Sequence, residues 1–163
     1  MNTEDTRHYT TILISLVVAM ILRLLEWPAT LSMLNPDWVL LVLMYWCLTQ
    51  PDRYGVGLAW LTGLLADAAT GRLLGQHALI YALIAYGCVR LHTHLRVFPL
   101  LQQLAYVLFF LLCSQLIMFF IEILQGKPPL SWTYWLPALT GTLAWPAVLS
   151  ICRAIQWRNP AHY

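Results

Sequence analysis

The chain has 163 residues, 60% of them hydrophobic and only 10% Asp, Glu, Lys or Arg. An average soluble domain is roughly 45–50% apolar and about 25% charged. So few charged side chains cannot wrap a core of this size, and the surplus apolar surface must face something other than water. That excludes an ordinary cytoplasmic enzyme and a disordered linker. A net charge of +2, with no run of basic residues, excludes a nucleic-acid partner as well.

Apolar stretches follow one another with short polar punctuation, and they predict spans at Tyr9–Leu25, Trp38–Gln50, Tyr54–Thr70, Leu73–Leu91, Leu104–Leu124 and Trp132–Cys152. About 20 helical residues are needed to cross a hydrocarbon core ~30 Å thick. The last three stretches meet this easily. Trp38–Gln50 is the shortest and reads either as a crossing or as a re-entrant segment. Charge placement favours a crossing. With six spans and the N-terminus inside, Arg7, Arg53, Arg90, Arg96, Arg153 and Arg158 are cytoplasmic, while Arg72 and Lys127 lie outside and Arg23 sits near the outer end of the first span. Leaving out the second crossing weakens this positive-inside bias. Trp27, Trp38, Trp132 and Trp135 then flank the outer loops and Trp157 the inner end, at the headgroup depth that indole rings prefer. Trp46, Trp60 and Trp145 lie deeper.

The N-terminus lacks the cleavage site of a signal peptide, and its apolar run reads as the first span. The whole chain, 1–163, therefore reads as a single all-α transmembrane domain, a six-helix bundle with both termini cytoplasmic. No connection is long enough for a soluble domain. Cys47, Cys88, Cys113 and Cys152 fall in separate apolar stretches without a CxxC pair, so neither a metal site nor a disulfide framework is indicated. They read as small buried fillers.

Charges inside spans cost roughly 2.5–3.5 kcal/mol at mid-membrane, so each needs an explanation. Arg23, Asp67 and Glu122 fall near the outer ends of their spans and Arg72 in an outer turn. The first reading is a rim network of charge pairs; snorkelling to the headgroups and a substrate or ion site are the alternatives. A more specific pattern is GLLADAATGRLLG, in which Gly63, Asp67, Gly71 and Gly75 recur every four residues. With Ala59 the first of these share one helix face, on which small residues let two backbones approach closely. Gly71 and Gly75 bracket Arg72 in a tight turn. The stripe reads as a helix junction or partner groove with a carboxylate at its end, or as generic membrane-helix packing.

His77, beside Gln76, reads as a packed polar contact. His92 and His94 fall on different faces of a helix and predict no metal site. Ser114 and Gln115, with Glu122 two turns away, read as a polar stripe towards another helix. Pro137 and Pro146 are expected to bend the last span, and Pro128–Pro129 to stiffen the loop before it. No GxSxG, HExxH, Walker or Rossmann pattern occurs, so no catalytic residue and no cofactor is expected.

The stretches NPDWVLLVLMYWCLTQPDRYGVG (Asn35–Gly57) and GLLADAATGRLLG (Gly63–Gly75) resemble the MreD family of rod-shape-determining membrane proteins. The Trp27–Pro28 pair, Glu122 in an aromatic-rich span and Trp145–Pro146 fit the same family, across nearly the whole chain. The resemblance implies a non-enzymatic inner-membrane protein of the bacterial cell-wall elongation machinery. Its implied partner is MreC, a bitopic protein with one membrane helix, and through it MreB filaments and the elongation glycosyltransferase and transpeptidase. The family's similarity in fold to the substrate-binding S components of energy-coupling-factor transporters supplies an alternative, a vitamin-type binding subunit. A handler of lipid-linked precursors, using the outer charges as a headgroup site, is a third.

Overall fold

A computed structural model describes residues 3–25, 28, 33–51, 54–95, 99–126 and 131–157, the side chains of 3–8, 93–95 and 157 excepted. The expectations placed on Arg7, Trp27, Arg53, His94, Arg96, Lys127, Pro128, Pro129, Trp157 and Arg158 therefore lie outside the described side chains. Among the described residues six α-helices follow one another, α1 (Thr3–Leu24), α2 (Trp38–Thr49), α3 (Val56–Thr70), α4 (Gln76–Leu95), α5 (Leu100–Leu124) and α6 (Leu136–Trp157). A 3₁₀ turn, Trp132–Trp135, leads into α6. No strand occurs among the described residues.

Helix α2 starts where Asp37 accepts a hydrogen bond from the Leu40 N–H at 3.2 Å, and it ends before Pro51. It is apolar on every side, and every residue from Val39 to Cys47 is buried. A helix of that kind must sit inside the molecule. It does, packed against α1, α4 and α6, while α4 also contacts α3 and α5, and α5 pairs with α6. At 12 residues α2 is about 18 Å long, shorter than a hydrocarbon core.

The outer surface is apolar. Leu13, Ile14, Val17, Val18 and Ile21 of α1 and Phe109, Leu116 and Phe120 of α5 are all exposed. Helix α5 and the segment Trp132–Gln156 are long and apolar enough to cross a membrane, and only 28% and 33% of their most apolar stretches are buried. Helix α4 is long but carries Gln76, His77 and the polar RLHTHL end, and does not meet the same test. Pro146 lies inside α6, where it removes one backbone hydrogen bond.

Candidate functional site

The most extensive helix contact joins α3 to α4. The face of α3 turned inward is made of Ala59, Gly63, Ala66 and Asp67, all buried. At Gly63 the helices approach so closely that a Cβ would stand less than 3.0 Å from the main chain of His77 and Ala78. Neither backbone can yield without separating the helices. The Ala59–Gly63–Asp67 face is thus covered by α4 of the same chain.

Asp67 completes the junction. Its Oδ2 accepts from the Gly75 N–H at 2.8 Å, and the His77 N–H lies 3.1 Å from both carboxylate oxygens. These amides open α4, where the helix dipole favours a negative charge. A residue near the C-terminus of one helix thus caps the N-terminus of the next. The turn between them is built for this. Gly71 ends α3 at φ 65°, its N–H and that of Arg72 returning to the Asp67 carbonyl, and Gly75 takes φ 104°.

From Asp67 a chain of hydrogen bonds runs across the bundle. His77 Nδ1 lies 2.6 Å from Asp67 Oδ1, and His77 Nε2 lies 2.6 Å from Nη2 of Arg23. A guanidinium only donates, so Nε2 must accept and the ring proton must sit on Nδ1, facing the carboxylate. His77 is therefore a neutral bridge with a fixed tautomer. Arg23 Nη1 continues to Asp37 Oδ1 at 2.9 Å and to the Tyr81 hydroxyl. Tyr81 in turn donates to the Asp37 carboxylate, 2.8 Å from Oδ2. Burial opposes ionisation of Asp37, but the Arg23 guanidinium, the Tyr81 hydroxyl and the Leu40 N–H outweigh it and hold its carboxyl below the usual range. Five side chains from α1, the α2 cap, α3 and α4 form one connected network.

Arg72 and Glu122 lie apart from it. Their closest atoms are 3.4 Å apart, and the side chains are 46% and 21% exposed. Glu122 also neighbours the Tyr134 hydroxyl. Between this pair and Arg23 opens a recess of about 490 Å³, at the end of the bundle where α1 stops and α4 begins. Asp37, His77 and Gln115 line it, with the 3₁₀ turn as one wall. Phe119 anchors that wall through ring contacts with Tyr134 and Trp135, at centroid distances of 6.0 and 6.1 Å.

The structure thus joins Arg23 to Asp37 and Asp67, and leaves Arg72 and Glu122 as a separate pair. Asp37 and Tyr81 do not stand out in the sequence as site residues. The signal for Asp37 was its place as helix cap between Pro36 and an apolar run; Tyr81 offers none beyond being one turn from His77. Ser114 bonds back to the Leu111 carbonyl. Cys47, Cys88, Cys113 and Cys152 are free thiols. No cluster of His, Cys, Asp and Glu suited to a metal occurs among the described residues. Every charged member of the network is held by another, which suits rigidity more than turnover.

Comparison with known proteins gives a consistent result. The family model of the rod shape-determining protein MreD matches residues 5–155. The rod shape-determining protein MreD of Haemophilus influenzae is 33% identical over 162 residues, which is 99% of this chain and 100% of the relative. No solved structure matches. An all-helical chain matched from end to end in this way belongs to the MreD family of rod shape-determining proteins.

Proposed function

We propose that the chain is a non-enzymatic, multi-pass scaffold of the bacterial inner membrane, with six spans and both termini cytoplasmic. It binds an MreC-like bitopic partner and links it to MreB filaments and the wall-elongation glycosyltransferase and transpeptidase. The observation that carries this reading is the self-contained Arg23–Asp37–Tyr81–His77–Asp67 network. It leaves no poised nucleophile or base, yet it fixes the relative placement of four helices, which is what a platform for a partner requires. Ala59, Gly63, Asp67, Gly71 and Gly75 then serve the partner indirectly, by holding the α3–α4 hairpin in shape. The apolar outer surface suits lipid, in which helix association relies on close packing and not on water exclusion.

A second reading, a small-molecule-binding transport subunit, is favoured by the recess, whose volume is that of a small-ligand site. Mass spectrometry of what co-purifies with the tagged chain from native membranes separates the two. Recovery of an MreC-like protein with wall-synthesis enzymes is expected. Recovery of an energising membrane subunit with paired ATPases would overturn the scaffold reading.

A further inference from the structure

The recess is an unfilled space of about 490 Å³, and the network beside it does not use it up. Its described charged lining is balanced, Arg23 and Arg72 against Asp37 and Glu122, and the tautomer derived above leaves His77 neutral. A purely anionic guest would add an uncompensated negative charge, and a purely cationic one a positive. A guest with one charge of each sign fits both. Arg23 and Asp37 are satisfied by each other at 2.9 Å, whereas Arg72 and Glu122 touch only at 3.4 Å and Arg72 is nearly half exposed. The second pair is thus the one that can open to admit a ligand. Two turns back along α5 from Glu122, the side-chain oxygen of Gln115 is buried without a hydrogen-bond partner. An acceptor in that state costs free energy until a donor reaches it, and a rotation about its side chain presents it to the recess. Trp132, between the lining residues Ser131 and Thr133, is 91% exposed.

We propose that this recess binds the phosphoethanolamine headgroup of a membrane lipid. The phosphate meets the Arg72 guanidinium, the ammonium meets Glu122 and the Gln115 oxygen, and the acyl chains lie over Trp132. The ammonium matters because a quaternary choline cannot donate a hydrogen bond to either acceptor. A glycerol headgroup carries no positive charge to offset Glu122.

The test is a lipid titration of the purified full-length chain in mild detergent, read by native mass spectrometry and by thermal unfolding. Phosphatidylethanolamine is expected to be retained about tenfold more tightly than phosphatidylcholine or phosphatidylglycerol. That preference disappears in Arg72→Gln and in Glu122→Gln, both of which keep the wild-type helical signal. Free phosphoethanolamine competing with the lipid supports recognition through the headgroup; free compound binding where the lipid does not would overturn the lipid as its source. Equal retention of the three lipids, or a preference that survives both substitutions, overturns the site. So does a complex from native membranes in which a partner segment, with no lipid, fills the recess. The proposal rests on the membrane reading above, and a chain that stays monodisperse without detergent would overturn that reading too.

Discussion

Two groups of charges sit at the same end of the bundle and differ in almost everything else. In the buried group, Asp67 has no exposed surface, receives two backbone N–H donors and a histidine, and reaches Arg23 and Asp37 through named hydrogen bonds. In the rim group, Arg72 and Glu122 share one long contact in partial solvent. The difference teaches that charge count is a poor guide to consequence. Removing one member of a buried pair leaves an uncompensated partner, at about 3–5 kcal/mol. An exposed pair is worth about 0–1 kcal/mol. The buried group also depends on backbone geometry, because Asp67 reaches the start of α4 only while the α3–α4 seam stays closed.

Opening that seam is the most damaging way to break the comparison. Gly63→Leu must force its side chain into the main chain of His77 and Ala78. The expected outcome is loss of folded protein, measured as the yield of monodisperse chain after extraction. Normal yield with loss of the partner alone would instead assign the Gly63 face to an interface between proteins. Normal yield and normal complex would refute the close approach itself.

Asp67→Asn keeps the shape and removes the charge. The amide nitrogen then faces donors, either Gly75 N–H or the His77 Nδ1–H, and at least one N–H loses its acceptor. The loss is expected at about 1–3 kcal/mol for each buried N–H left unpaired, read as a lower midpoint of thermal unfolding in detergent. An unfolding midpoint equal to wild type would show that the cap and the bridge are dispensable.

Asp67 and its glycines stand out in the sequence because their spacing is local, one helix turn apart, and local spacing fixes which residues share a face. The rest of the network has no such regularity. Arg23, Asp37 and Tyr81 meet across separations of 14, 44 and 58 residues. Each looks ordinary where it stands, Arg23 as a span-end cation, Asp37 as a loop acid and Tyr81 as one more aromatic in an apolar run. Only the packing of α2 between α1 and α4 brings them together. Helix α2 itself is legible, since Pro36–Asp37 and Pro51 bracket an unbroken apolar run. Its burial on every side follows from its neighbours and not from its own length.

Asp37 tests the middle of the range, because its side chain retains 25% exposure on the recess side. Asp37→Asn should cost about 2–3 kcal/mol, between the surface and fully buried cases. It also predicts the acid response. A carboxyl held below its unfolded value contributes stability that is complete above about pH 3.9 and is lost as the pH falls through the lower folded value. The unfolding midpoint of the wild type should therefore fall more steeply than that of Asp37→Asn below about pH 4. Parallel curves would place the acid sensitivity elsewhere.

The smallest effect is expected at the rim. Arg72→Gln removes one partner of a solvated 3.4 Å contact, and Glu122 keeps the neighbouring Tyr134 hydroxyl. Stability should change by less than about 1 kcal/mol, and added salt should shrink that difference further. If Arg72→Gln instead lowers the unfolding midpoint as far as Asp67→Asn does, the two groups are energetically one. Continuity between them would have to run through the recess, the space that separates Arg72 from Arg23. A small change in stability together with a large loss of rod shape in cells would keep the groups apart. It would assign the rim to recognition and the buried network to the frame that presents it.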